Sequence, residues 1–315
     1  MSQYITKIRT NQGDMQIDYN ALANLPTLSQ GGAGSHNIFI NGEFLVWQRG
    51  DRFTNIANRY AADRWYIGNA KSSTSLVEKS MDVPEDQIMR QSIHIQESVE
   101  ENTYLTYYFE QVFKGTLTLS FWYKTSAPFN TFIEDGGKQV PLGKLETLNT
   151  WTKAEFKIDA TSMTRLDLIH AMSVGDTYIA GAKLEYGGTA TEFIPRQPAE
   201  ELALCQRFFC KIKSICPMFM TQQALLEKKY SNMAIPLPVS QRSKPKIAFD
   251  HVKLMENGTD GLQYAVQEIE CVGWSRLGVT LRMYLNEYFK SGTPYFLMMD
   301  EDGYIDLDAE VYPAT

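Results

Sequence analysis

Along most of this chain apolar and polar side chains alternate with a period of two. The clearest case is Thr116-Leu-Thr-Leu-Ser-Phe-Trp-Tyr-Lys124. Leu117, Leu119, Phe121 and Tyr123 fall on one side of an extended backbone, with Thr118, Ser120 and Trp122 on the other, which predicts a strand buried on one face. Tyr104–Phe113 precedes it across Lys114-Gly115, Trp151–Ile158 and Leu166–Ile169 repeat the pattern, and Tyr178–Tyr186 reads as a closing strand. Upstream, Asn37–Gly50 predicts a strand, an Asn-Gly turn and a second apolar run. About eight or nine short strands, separated by Gly, Pro, Asn and Asp turns and by no helical stretch, predict an antiparallel sandwich over 36–198.

Pro195 and Pro198 break the sheet, and Glu200–Ile212 reads as a helix within a linker at 199–216. Its start is acidic and its end basic, and Leu202, Cys205, Phe209 and Ile212 form a stripe widened by Leu204 and Phe208, on which both β units could pack. Residues 217–315 predict a smaller β domain with strands at Lys229–Pro236, Lys246–Lys253, Gly261–Ile269, Val279–Leu285 and Pro294–Asp300. The fold class is therefore all-β, a sandwich plus a smaller C-terminal β domain joined by one α-helix. Before the sandwich, Tyr4–Tyr19 alternates around the turn Asn11-Gln-Gly13-Asp, which predicts a hairpin too short to own a core. A flexible tether, Ser29–Ser35, follows it. A strand-forming arm on a tether, residues 1–35, suits docking through Tyr4, Ile5, Ile8, Ile17, Tyr19, Leu22 and Leu25.

Composition narrows the function classes. With 315 residues, 43% of them hydrophobic, the chain can fill the cores of about two domains. A formal net charge of −7 leaves no basic field to gather phosphate backbones, so nucleic acid is a poor partner. No window approaches 18 consecutive apolar residues and Met1–Lys7 lacks a signal-peptide core, so membrane insertion is not expected and a chain made in a cytoplasm stays soluble. Cys205, Cys210, Cys216 and Cys271 form no C-x-x-C pair and read as reduced thiols.

Candidate chemistry is sparse. No G-x-S-x-G, H-E-x-x-H, Walker or G-x-G-x-x-G motif occurs, and His36, His94, His170 and His251 are scattered singly. No catalytic site, metal site or cofactor is expected, and the chain reads as a non-enzyme. Asp300–Asp308 is rich in carboxylates, but Gly303 directly follows Asp302, so the D-x-D-x-D-G calcium spacing is missing and the stretch reads as a solvated turn between two strands. Aromatic rings can pack on the apolar face of a pyranose while neighbouring polar groups take its hydroxyls. Trp47, Trp65 and Trp151 sit inside strand-like motifs and read as core. Trp122, on the polar side of its strand, and Trp274, between Gly273 and Gly278, are the candidate glycan contacts, Trp274 through an expected loop.

Several blocks carry a resemblance. Asn37–Gly50 resembles N-x-x-x-N-G-x-F-x-x-W-Q-R-G, Tyr60–Trp65 resembles Y-x-A-D-R-W, and Gly181–Phe209 resembles A-x-L-E-x-G-x-x-A-T-x-F-x-P-R followed by E-E-L-A-L-C-Q-R-Y/F-Y/F. These are the blocks of bacteriophage tail-fibre and related virion proteins with a carbohydrate-binding-module-like jelly roll, and the match spans about residues 37–209. Lys7–Pro26 resembles the head of many phage structural proteins. Ile235–Pro245 and Asp306–Val311 loosely resemble the P-x-x-M-R-x-x-P turn and terminal strand of phage fibres. The resemblance implies a jelly roll of galactose-binding type, an arm attached to other virion proteins, location in the virion, and a structural calcium that no residue pattern here places. It also implies a receptor-binding subunit adhering to host surface glycans. A homotrimer would cover the exposed edges of the small domain. The same arm and fold would serve a head fibre, capsid decoration or baseplate component that binds no sugar. A polysaccharide depolymerase would instead need two carboxylates flanking the scissile bond.

Overall fold

The computed structural model describes residues 36–69, 76–85, 87–98, 103–146, 148–172, 174–213, 229–256, 261–275, 278–288 and 295–312, and the backbone of 7–10, 13–16 and 218–220. The arm hairpin is β1 (Lys7–Thr10) against β2 (Gly13–Gln16), with Lys7 opposite Gln16 and Thr10 opposite Gly13. Of the arm residues proposed for docking, Ile8 lies in β1, and Tyr4, Ile5, Ile17, Tyr19, Leu22 and Leu25 lie outside the described residues.

The larger lobe holds β3 (Arg52–Thr54), β4 (Arg59–Tyr60), β5 (Tyr66–Asn69), β6 (Leu76–Ser80), β7 (Ser92–Glu97), β8 (Thr103–Thr125), β9 (Phe129–Asp135), β10 (Lys138–Leu145), β11 (Leu148–Met172) and β12 (Gly175–Tyr186). All pair antiparallel, in the order β10-β9-β11-β8-β12-β7-β6-β3, with β5 also beside β8 and β4 beside β5. β8 and β11 are long enough to serve two layers. Their 115–125 and 148–160 halves pair with each other beside β12, while their 103–113 and 163–172 halves pair beside β5 and β9. The crossing falls at Gly115, whose φ of 97° suits glycine, and at the register shift between Ala160 and Met163. The folded-over sheet encloses one core containing Leu105, Tyr107, Leu117, Leu119, Phe121, Leu166 and Leu184. The inward half of the alternation expected over 116–124 holds, with Leu117, Leu119, Phe121 and Tyr123 all in the core, but Thr118 and Ser120 on the other side are buried as well, Thr118 donating to the Gly187 carbonyl at 2.8 Å.

Residues 37–50 form no ladder, contrary to the expected strands, while the expected turn at Asn41-Gly42 is present, closed by Phe44 N–H donating to the Asn41 carbonyl at 3.0 Å. Asn41 and Phe44 take φ values of 60° and 57°, which interrupt extended pairing. The segment is instead tied down by side chains. Asn41 Nδ2 donates to the Val46 and Asp63 carbonyls at 2.9 Å each, and the Trp65 indole donates to the Asn41 carbonyl at 2.8 Å. Trp47 and Trp65 are buried, as expected.

The linker helix is shorter than predicted. α1 spans Pro198–Gln206, with Pro at its start, and Glu201 and Cys205 turned inward while Leu202 is exposed. Phe209–Ile212 is not helix but β13, paired with the last strand. The smaller lobe continues with β14 (Met218–Met220), β15 (Tyr230–Pro236), β16 (Lys246–Glu256), β17 (Gln263–Ala265), β18 (Glu268–Ser275), β19 (Gly278–Tyr284) and β20 (Tyr295–Asp308). β13, β20, β16 and β17 form one sheet with β14 beside β20, and β15-β19-β18 another, around a second core of residues such as Leu254, Leu281, Leu297 and Ile305. The run Gly261–Ile269 splits between β17 and β18. The acidic stretch is not a turn between strands. Asp250 pairs with Tyr304 and Val252 with Met299, so residues 300–303 bulge out of β20 opposite His251.

Candidate functional site

The outward face of β11, β8, β12, β7 and β6 gathers half-buried aromatic residues from adjacent strands. Cross-strand register makes one row across it, Lys124 beside Tyr178, Tyr178 beside His94 and His94 beside Glu78. Trp122 lies one step along, next to Lys153 on β11 and Ala180 on β12. Trp151, Trp122 and Tyr178 are each half-buried and stand on three adjacent strands, with Trp151 edge-on to Tyr178 at 6.4 Å between ring centroids. The small Ala180 leaves the indole of Trp122 without a bulky neighbour on that side.

Polar groups hold this face in shape. Trp151 donates its indole N–H to Asp82 Oδ1 at 2.9 Å, and Lys124 Nζ pairs with Asp82 Oδ2. Lys124 also lies over the Tyr178 ring at 4.6 Å and over the Trp151 ring at 5.6 Å. Burial pushes the Asp82 carboxyl up, but the hydrogen bonds from Lys124 and Trp151 outweigh it, so its pKa lies below the ordinary aspartate value. His94 stacks on Tyr178 with centroids 4.2 Å apart, and its ring nitrogens reach Glu78 at 3.0 Å and Asp176 at 2.8 Å. Each of these carboxylates is thus already engaged by a protein group, and the Tyr178 ring is taken by His94 and Lys124, so the ring surface left to solvent is mainly that of the half-buried Trp122 and Trp151, with a rim of charged side chains. Such a face is suited to stacking against an apolar surface edged with hydroxyls.

Of the two expected contacts, only Trp122 belongs to this face. Trp274 is 49% exposed, but it lies in β18 and not in a loop, opposite Val279 in the smaller lobe. Trp151 was expected in the core and is instead an outward residue. Around it, Ala154, Phe156 and Ile158 are buried or half-buried while Trp151, Lys153 and Glu155 point out. Trp151 shares the odd-numbered side of the strand with Lys153 and Glu155, so the two-residue period itself turns it outward, against the general tendency of tryptophan to be core. Tyr178 and His94 had no individual sequence signal. His94 sat alone in the text because its carboxylate partners lie 16 and 82 residues away.

Elsewhere, Cys205, Cys210 and Cys271 are free and buried thiols, and burial pushes Cys210 up to about 11. Cys216 lies outside the described residues. Among the described residues no three His, Cys, Asp or Glu side chains converge on a point that could hold a metal ion, so the implied calcium finds no such donor set. No described helix is long and apolar enough to cross a membrane.

No protein-family model matches the chain, and no curated protein does. Solved structures are similar over part of it. The enzymatically active domain of tailspike protein 4 of bacteriophage CBA120 is 15% identical over 42% of this chain, with a TM-score of 0.34, and the chain spans 21% of that protein. A family 61 carbohydrate-binding module solved with β-1,4-galactotriose is 14% identical, covered over its full length by 49% of this chain, with a TM-score of 0.34. A family 29 carbohydrate-binding module is 8% identical, with 42% of this chain matching 86% of that one at a TM-score of 0.29.

Proposed function

We propose that this chain is a bacteriophage virion protein, a tail-fibre or receptor-binding subunit, that adheres to host surface glycans through the face formed by Trp151, Trp122 and Tyr178. That aromatic array is the observation that carries the glycan reading. Trp122 and Trp151 are partly accessible, and Asp82 and Lys124 hold Trp151 and Tyr178 in place. The phage assignment draws on the sequence blocks over 37–209 and on the hairpin arm, whose partners are other virion proteins. In this reading the chain works as a homotrimer within the virion and binds without cleaving. Weak single sites then suffice, because several copies on one particle act through effective concentration.

The test is to screen the full-length protein on an array of bacterial surface polysaccharides and neutral oligosaccharides, beside the double variant Trp122→Ala/Trp151→Ala. Binding that falls at least tenfold in the variant, with an unchanged melting temperature, is expected. A protein that binds no glycan, or a variant that binds as well as the parent, rejects the adhesion reading and leaves the head-fibre, decoration or baseplate role. Release of reducing ends from a bound polysaccharide would establish the depolymerase instead.

A further inference from the structure

The larger lobe has a second outer face, on the layer formed by β5, the first half of β8, the second half of β11, β9 and β10. It is hollowed where the tryptophan face is flat. A depression of about 400 Å³ opens there between Tyr66, Tyr104, Tyr108, Arg165, Asp167 and His170. That volume lies at the lower end of small-ligand clefts, roughly 300–1,000 Å³.

The register explains the hollow. Tyr66, Thr106 and Asp167 stand side by side on β5, β8 and β11, as do Gly68, Tyr104 and His170 one step along, with Tyr108 beside Arg165. Leu105, Tyr107 and Phe109 turn into the core, so Tyr104, Thr106 and Tyr108 must turn out. Gly68 and Thr106 form a low floor between taller rings. Those rings brace one another, Tyr66 edge-on to Tyr108 at 5.6 Å, Tyr104 edge-on to His170 at 4.6 Å, and Phe132 against His170 at 4.3 Å. Burial pushes the phenols of Tyr66 and Tyr108 up, so both stay neutral.

The polar groups are concentrated on one side. Asp167 is buried and accepts from Thr106 Oγ1 at 2.8 Å, with His170 Nδ1 3.2 Å from its other oxygen. Arg165 pairs with Glu134 at 3.1 Å, while its buried Nε lies 3.4 Å from Asp167 Oδ1 without an aligned hydrogen bond. Two carboxylates against one guanidinium leave no surplus positive charge for an anion. A carboxylate next to a guanidinium, at the end of an aromatic trough, matches adjacent hydroxyls on a ring whose other face is apolar.

We propose that this depression is a second saccharide site, independent of the tryptophan face, which takes one uncharged pyranose with its C–H face on the tyrosines and a vicinal diol at Asp167 and Arg165. Sites on opposite faces of one lobe would let a single chain engage two branches or two strands of a surface polysaccharide, which raises the effective concentration of each for the other.

Saturation-transfer NMR on the full chain, with the methyl glycosides of glucose, galactose and mannose and the anionic methyl glucuronide as probes, tests this. At least one neutral glycoside should receive saturation, most strongly at the ring protons that flank its vicinal hydroxyls, and the glucuronide should receive little. Measured in the Trp122→Ala/Trp151→Ala background, which removes any contribution of the tryptophan face, Tyr104→Ala should weaken the remaining signal about tenfold and Gln139→Ala, at the exposed rim, about threefold. If Tyr104→Ala fails to fold by circular dichroism, Gln139→Ala decides. No transfer to any neutral glycoside, equal transfer to the glucuronide, or a signal lost in the tryptophan variant overturns the second site. The array result with the tryptophan variant stands or falls separately.

Discussion

At the scale of single residues, Trp151 and Asp63 show how neighbours set behaviour. A tryptophan in an alternating run belongs to whichever side its place in the two-residue period gives it, and Trp151 shares the outward side with Lys153 and Glu155, where Asp82 accepts from its indole. Asp82→Ala should leave the lobe folded but loosen Trp151 and Lys124, and weaken glycan binding several-fold in the array assay. Asp63 is fully buried beside Arg49, and burial dominates, pushing its carboxyl up to about 7. A raised folded pKa in an acid means that the native state holds a proton the unfolded chain has released between about 4 and 7. Asp63 therefore contributes stability that is fully present below about pH 4 and is lost as pH rises to about 7. Thermal melts between pH 5 and pH 8 should show a smaller loss of stability in Asp63→Asn than in the parent. An identical pH dependence in the two proteins would reject this assignment.

At the scale of elements, neighbours outweighed local preference. The apolar stripe of the linker reads equally well as helix or strand over Phe209–Ile212, because four residues cannot separate a period of 3.6 from a period of two. The open edge of β20 decided it, through pairing of Phe209 with Asp308 and Ile212 with Ile305. The segment 37–50 lost its expected ladder in the same way. It lies instead along β12, with Ile38 N–H donating to the Leu184 carbonyl at 2.7 Å and Ala182 N–H to the Gly42 carbonyl at 2.8 Å. Gly42 is tightly enclosed, since a Cβ there would collide with the Ala182 carbonyl oxygen. Gly42→Ala should therefore push this segment off β12 at a cost of roughly 1–3 kcal/mol. For a chain of this size that lowers the melting temperature by a few degrees, and calorimetry would measure it.

At the scale of the whole molecule, the seam between the lobes is a buried polar cluster. Arg64 and Glu310 pair with both side chains almost inaccessible, Arg49 reaches Asp63 at 3.3 Å and Glu310 at 3.5 Å, and Gln48 donates to the Phe209 carbonyl at 2.7 Å. From the helix side, Glu201 accepts from Asn41 N–H at 2.5 Å and pairs with Arg196 at 3.2 Å. Arg64 lies over the Phe208 ring at 3.7 Å. Removing one partner from such a set strands a charge in a dry interior, a loss of roughly 3–5 kcal/mol. Glu310→Ala should lower stability by about that much and split a single calorimetric transition into two, one for each lobe. A variant that still melts in one step, at the parent temperature, would show the lobes to be coupled by other contacts.

The blocks that resemble phage fibre proteins divide between the core of the larger lobe, where Phe44, Trp47, Trp65 and Leu184 lie, and that seam. Asn41, Gln48, Arg49, Asp63, Arg64 and Arg196 all come from them. The all-β class, the alternation of β8 and the breaks at proline and glycine were legible because they rest on local backbone preference and on a strict two-residue period. Position in the fold was not. What brings Trp151 beside Lys124 and Tyr178, where Tyr178 meets His94, and how Tyr66, Tyr104 and Asp167 come to share one hollow all depend on registers between strands far apart in the chain. Those registers are chosen by the sum of packing across both layers, so only the folded molecule decides them.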